Sequence, residues 1–120
     1  MTAPLPIDER TDGPVTVLRP RGRLTVETFG QLKDRVGRLI ADGCRRMVLN
    51  LADVPYADSI GIAEIVRSHV MLRNRSGRLK VSDVSPPVVQ LLRLTRLHLV
   101  LDAHATEAAA VRSLGSTRTP

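Results

Sequence analysis

The residues best placed to do chemistry are Asp58-Ser59-Ile60-Gly61, where a carboxylate and a hydroxyl follow a short apolar run and a loop. From Asp58 onward the apolar residues recur at helical spacing, which places Asp58 and Ser59 in the first turn of a helix. The unpaired N–H groups of that turn favour negative charge. Two interpretations are open. Asp58 is only the N-cap of the helix with Ser59 filling the next position, or the two residues form a functional site. The residue types alone favour the N-cap.

Other candidates for a catalytic or metal site are weak. The sequence has no phosphate-binding loop, no dinucleotide glycine pattern and no G-x-S-x-G elbow. His69 lies near the apolar stripe of its helix and is interpreted as a core residue, while His98 and His104 have no neighbouring carboxylate pair or cysteine. Cys44 is interpreted as a small hydrophobe, with a redox role as the alternative. We therefore expect no enzymatic activity, no metal site and no cofactor.

The elements that position Ser59 alternate along the chain. Strands are expected at 15–19, 24–26, 46–51, 79–82 and 99–101, and helices from Thr28, Asp58, Ser85-Pro86 and Thr106, the first capped by Thr28 with Gln31. Glu64 and Arg67 are expected beside the apolar stripe of the Asp58 helix, within pairing distance of each other. This order predicts one α/β domain, a mixed four- to five-stranded sheet with helices packed on it. We expect a flexible N-terminal arm over 1–13 whose end can join the sheet edge, the domain over 14–114 and a disordered tail over 115–120.

Charge is the one unusual feature of the composition. The 120 residues carry a net charge of +6, and the 18 basic residues are 16 arginines with Lys33 and Lys80. They are scattered, and the small groups Arg19/Arg21/Arg23 and Arg73/Arg75/Arg78 are interpreted as solvated surface, because two aromatic residues cannot supply stacking platforms for nucleic acid. The sequence shows no signal peptide, no apolar run long enough to insert in a membrane and a single cysteine, so we expect a cytoplasmic protein.

The stretch from Leu49 to Ile62 resembles the signature of STAS domains, the sulfate transporter and anti-sigma factor antagonist family, in which a strand and a short loop precede Asp-Ser-small-Gly-Leu/Ile. Gly22-Arg23-Leu24-Thr25 is similar to the family's first conserved turn, and Gly77 to Val81 to its Gly-x-leucine-x-valine strand. The resemblance extends from about Val15 to Leu114.

The resemblance implies a function for the Asp-Ser pair. In antagonists of this family the serine after the aspartate is phosphorylated by an anti-sigma factor with serine kinase activity, so Ser59 is the expected phosphoacceptor and a phosphatase is the expected opposing partner. The unmodified protein would bind the anti-sigma factor and so control sigma-factor-dependent transcription. The partner-binding residues implied are Thr25, Asp58, Ser59, Ile60, Gly61, Glu64 and Arg67.

Two residues depart from the family pattern and keep alternatives open. Thr25 stands where many antagonists carry an aspartate, and Ile60 is bulkier than the usual serine, threonine or alanine. Both residues suit an accessory or scaffold subunit of a stressosome-like or transporter complex that needs no phosphorylation. Nucleic-acid binding through the arginines is the second alternative.

Overall fold

A computed structural model describes residues 3–115 of the chain. The strands are β1 (Ile7–Asp12), β2 (Val15–Pro20), β3 (Arg46–Asn50), β4 (Arg78–Ser82) and β5 (Asp102–His104). The helices are α1 (Gln31–Ala41), α2 (Ser59–Arg73), α3 (Pro86–Leu94) and α4 (Glu107–Gly115), with short 3-10 turns at Val26–Thr28 and Leu97–Leu99. Gly115 belongs to α4, and the rest of the tail predicted for 115–120 lies outside the described residues.

The five strands form one sheet in the order β1-β2-β3-β4-β5. β1 and β2 are antiparallel, and the other neighbours are parallel. α1, α2 and α3 connect successive parallel strands, so each connection is a β-α-β crossover. The mixed α/β sheet predicted from the alternation of elements is confirmed.

Alternate residues of the central strands face two separate cores. Leu18, Met47, Leu49 and Val81 face the larger core, into which α1, α2 and α3 pack. Val15, Val17 and Val48 face a smaller core, closed by Ala110 and Leu114 of α4. Both faces are therefore covered, which explains why β3 reads as an apolar run in the sequence. Residues 51–58 connect the buried end of β3 to the start of α2.

The flexible N-terminal arm expected over 1–13 is too long, because the edge pairing expected only near its end extends over all of Ile7–Asp12. Gly13 has φ +60° at the first position of the two-residue turn, a conformation that glycine adopts at little cost and that hairpins favour. The side chains of β1 are exposed except for half-buried Ile7, so the strand carries no apolar alternation in the sequence.

Three other local expectations are wrong. Leu24 forms only an isolated bridge to Ala57, and the following residues turn instead of extending a strand. Gly30, not Thr28, is the N-cap of α1, and Gln31 instead bonds the backbone of Ala3 and Leu5. The last strand begins at Asp102, because residues 97–99 form a 3-10 turn where a strand was expected to start.

Candidate functional site

The junction between β3 and α2 places Ser59 at the surface. Asp58 is the N-cap of α2, and its Oδ1 accepts a hydrogen bond from the N–H of Gly61 at 2.9 Å. Ser59 is the first residue of the helix and is exposed. No hydrogen bond among residues 3–115 involves the Ser59 side chain, so its hydroxyl is open to solvent and to a partner. The capping role predicted for Asp58 is confirmed.

A second backbone segment crosses directly over the first turn of α2. Leu24 N–H donates to Tyr56 O, and Asp58 N–H donates to Leu24 O, both at 3.1 Å. A Cβ atom at position 61 would lie 2.5 Å from the carbonyl carbon of Leu24 and closer still to its oxygen. Gly61 is therefore required for the close approach of two backbones.

Gly61 is buried by this crossing, so its backbone packs inward and offers no side chain to a partner. The sequence alone gave no reason for a glycine inside a helix at this position. The physical role of Gly61 is to let the Leu24 segment pack against the first turn of α2 and accept the hydrogen bond from Asp58 N–H.

Glu64 is also buried, with no exposed surface, so the expectation that it lies off the apolar stripe and pairs with Arg67 is wrong. Its Oε2 accepts hydrogen bonds from the N–H groups of Gly30 at 3.1 Å and Lys33 at 2.8 Å. These groups belong to the start of α1, whose own N-cap residue offers no side chain. Glu64 thus caps a neighbouring helix, because its carboxylate binds N–H groups at the positive end of the helix dipole, which is a stabilising position for such a group.

Within residues 3–115, no hydrogen bond joins Thr25 or Arg67 to the Ser59 side chain. Thr25 is half-buried, and its Oγ1 accepts a hydrogen bond from the N–H of Glu27 at the start of the 3-10 turn. Arg67 is exposed, but it lies about 12 Å from Ser59 along the helix axis at 1.5 Å per residue. Of the predicted site residues, the structure brings Asp58, Ser59 and Ile60 together at one exposed helix start.

A shallow groove of about 360 Å³ runs beside Ser59, between the start of α2 and α3. We call it the Ser59 groove. Tyr56 and Leu94 remain 44% and 76% exposed, and neighbouring Ile60 is 40% exposed. Exposed large apolar side chains gathered around a polar centre are typical of interaction surfaces. The lining residues are Tyr56, Ala57, Asp58, Ser59, Pro87, Gln90, Leu91 and Leu94.

The α3 side of this groove was missed from the sequence. Leu94 follows Leu91 at helical spacing and is indistinguishable there from a core residue. Only the packing of α3 beside α2 shows that it lies across from Ser59. The exposure of Tyr56 likewise has no local signal.

The three arginines of the predicted solvated edge are exposed but have partners. Arg19 Nε donates to Asp53 Oδ2 at 2.7 Å, and this hydrogen bond lowers the pKa of Asp53 below its usual value. Arg21 pairs with Asp8. The guanidinium of Arg23 lies 5.0 Å from the ring centre of Tyr56, within cation–π range. Arg23 thus supports one wall of the Ser59 groove.

Residues 3–115 contain no cluster of three or more histidine, cysteine, aspartate or glutamate side chains arranged to hold a metal ion. In the same part of the chain, no helix is long and apolar enough to cross a membrane. Cys44 has a free thiol and is half-buried. His69, in α2, is half-buried, and its pKa is lowered mainly by burial and also by the charge of Arg73.

Comparison with known proteins gives a consistent set of similarities. The family model described as "STAS domain" matches residues 6–110. Over 101 residues the chain is 27% identical to the anti-sigma F factor antagonist of Paenibacillus polymyxa, covering 83% of this chain and 86% of that protein.

Solved structures show the same fold. An anti-sigma factor antagonist from Mycobacterium paratuberculosis matches with a TM-score of 0.83 at 20% identity, over 97% of this chain and 100% of that one. The Bacillus cell fate determinant SpoIIAA in its phosphorylated form matches with a TM-score of 0.68 at 18% identity, over 92% and 99% of the two chains.

Proposed function

The chain belongs to the STAS domain family, and we propose that it is an anti-sigma factor antagonist that binds its partner at the Ser59 groove and is released by phosphorylation of Ser59. The observation that carries this proposal is an exposed serine hydroxyl, without a protein partner among residues 3–115, at a helix start bordered by exposed apolar side chains. The role is regulatory, and no step of it requires catalysis by this chain.

The groove supports binding of the unmodified protein. Tyr56, Ile60 and Leu94 are exposed apolar groups that a partner would bury, and aromatic residues at the centre of an interface often carry much of its affinity. The partner of this proposal is an anti-sigma factor with serine kinase activity acting in the cytoplasm. Asp58 holds the first turn of α2 in place for that kinase.

Phosphorylation would change the charge of the groove at its centre. A phosphate adds about −1.5 to −2 charges at pH 7 and would stand beside the Asp58 carboxylate. The helix start accepts negative charge, so the fold tolerates the modification, while a partner surface complementary to the neutral serine is repelled. A coupling of about 1–3 kcal/mol weakens binding by roughly 5- to 150-fold. A phosphatase acting on phosphorylated Ser59 would restore binding.

Capture from the native cell tests this proposal with four baits: wild type, Ser59→Ala, Ser59→Glu and Ser113→Glu. Ser113 is an exposed residue of α4, on the opposite face of the sheet, and serves as the matched charge control. We expect wild type, Ser59→Ala and Ser113→Glu to recover an anti-sigma factor, and Ser59→Glu to recover at least about fivefold less.

Intact-mass analysis after incubation with the recovered partner and ATP locates the modification. We expect one phosphate on wild type and none on Ser59→Ala. Equal phosphate on both would place the site elsewhere. A bound partner with no phosphate on either would contradict the switch and favour the accessory-subunit alternative.

A further inference from the structure

The far end of α2 from Ser59 borders a second cavity, of about 300 Å³. Its polar walls come from four elements, with these side chains: His69 and Arg73 of α2, Arg78 and Lys80 of β4, His98 of the 3-10 turn, and Asp102 of β5. The 15 residues of α2 separate it from Ser59 by about 20 Å along the helix axis. This cavity is distinct from the Ser59 groove and has no part in the proposed switch.

The cavity carries an excess of positive charge. Lys80 Nζ pairs with Asp102 Oδ2 at 2.5 Å, and both residues line the cavity. Arg73 and Arg78 line it as well, and neither forms an ion pair with a carboxylate within residues 3–115. Three cations therefore face a single carboxylate.

Arg73 and Arg78 have no carboxylate within ion-pair distance among residues 3–115, whereas several arginines near the β1 edge of the sheet do. Carboxylate partners are present for Arg10, Arg19, Arg21 and Arg35. The location of the Arg73 charge has a structural role, because it lies in the last turn of α2, where positive charge offsets the helix dipole. Arg78 begins β4, away from any helix end, and its charge acts on Asp102, whose pKa is lowered mainly by the hydrogen bond from Lys80 and also by Arg78. Because Lys80 already pairs with Asp102, Arg73 and Arg78 add two further positive charges to one concave site.

His69 adds an unsatisfied polar atom to the same wall. Its Nδ1 is buried and has no hydrogen-bond partner within the described part of the chain. An anion in the cavity would favour the protonated ring, in which both nitrogens donate. Leu99 and Val100, which are 69% and 48% exposed, form an apolar rim beside these polar groups.

We propose that this cavity binds a phosphate group of at least two negative charges, held by Arg73 and Arg78, with Leu99 and Val100 contacting the apolar part of an organic phosphate. Guanidinium groups match phosphate oxygens in geometry and form two parallel hydrogen bonds to them. The carrier of the phosphate is a soluble ester or a lipid headgroup.

Calorimetric titration of the full chain with sodium pyrophosphate at physiological salt tests the site. The variants are Arg73→Gln and Arg78→Gln, with Arg75→Gln as the matched control, since exposed Arg75 lies between them in sequence but does not line the cavity. We expect saturable binding to wild type that each cavity variant weakens at least about tenfold, as for lost hydrogen bonds to a charged group. Arg75→Gln should change it by less than about twofold.

Two results would overturn the proposal. One is binding that fails to saturate. The other is an equal loss in Arg75→Gln, which would indicate a general effect of positive charge. Circular dichroism checks that the variants fold, which is expected because all three side chains are exposed. Ser59→Glu should leave pyrophosphate affinity unchanged, because the cavity is distinct from the Ser59 groove. A lack of pyrophosphate binding would therefore not contradict the proposed phosphorylation of Ser59.

Vesicles distinguish the two phosphate sources. Phosphatidylcholine vesicles containing phosphatidic acid are sedimented with wild type and Arg78→Gln. Binding that pyrophosphate displaces and Arg78→Gln abolishes supports a lipid headgroup, and pyrophosphate binding without vesicle binding supports a soluble phosphate. Vesicle binding that survives both treatments would contradict this cavity as the site.

Discussion

Replacing Gly61 by alanine is expected to damage the fold at the base of the Ser59 groove. The new Cβ would lie 2.5 Å from the carbonyl carbon of Leu24 and 2.7 Å from its Cβ, both closer than real Cβ contacts. Neither neighbour is the end of a flexible side chain. The Leu24 backbone or the first turn of α2 must therefore move.

The size of the effect follows from the contacts that such a movement breaks. Two hydrogen bonds join Leu24 to Tyr56 and Asp58, and each contributes about 0.5–1.5 kcal/mol. Leu24 is fully buried, and overpacking a core site costs about 1–3 kcal/mol more. We expect Gly61→Ala to lower the free energy of unfolding by about 2–6 kcal/mol, a large share of the 5–15 kcal/mol of a typical domain.

Urea unfolding followed by circular dichroism measures this loss, with Gly37→Ala as the control. Gly37 lies within α1, and a Cβ there would meet only the flexible end of Met71 at 3.4 Å. Alanine should stabilise that helix by about 0.5–1 kcal/mol. A Gly61→Ala protein as stable as wild type would refute the close-approach argument.

Three further predictions concern polar groups. Glu64→Ala should lower the free energy of unfolding by about 2–4 kcal/mol, since it uncaps α1 and leaves a cavity, whereas Arg67→Ala on the exposed face of α2 should be near neutral in the same urea assay. Asp58→Ala should cost about 0.5–2 kcal/mol and Asp58→Asn less, because asparagine keeps the capping oxygen; equal losses in thermal unfolding would argue against the cap. The hydrogen bond from Lys80 lowers the pKa of Asp102, so the stabilisation it gives is present above the unfolded value of 3.8 and is lost as pH falls through the folded pKa. The stability difference between wild type and Asp102→Asn should therefore shrink in acid, and parallel pH curves would contradict this.

Local signals were enough to predict the elements around Ser59. The apolar run of β3, the capping carboxylate of Asp58 and the helical spacing after it are interactions within a few residues of one another, so the sequence records them directly. The Ser85-Pro86 start of α3 is confirmed for the same reason. The role of Ser59 in phosphorylation stays a prediction, because it depends on a second protein.

The sequence by itself thus determined the α/β alternation, the mixed sheet and the capped start of α2, since each depends on short-range periodicity and capping. Tertiary structure alone decided the burial of Glu64 and the need for Gly61. Glu64 is buried because its hydrogen-bond donors belong to α1, over 30 residues away in the chain. Gly61 is required because the backbone of Leu24 crosses it. A polar residue or a glycine in a helix has the same local pattern whether it faces water or another backbone, and only the packing of distant segments distinguishes the two cases.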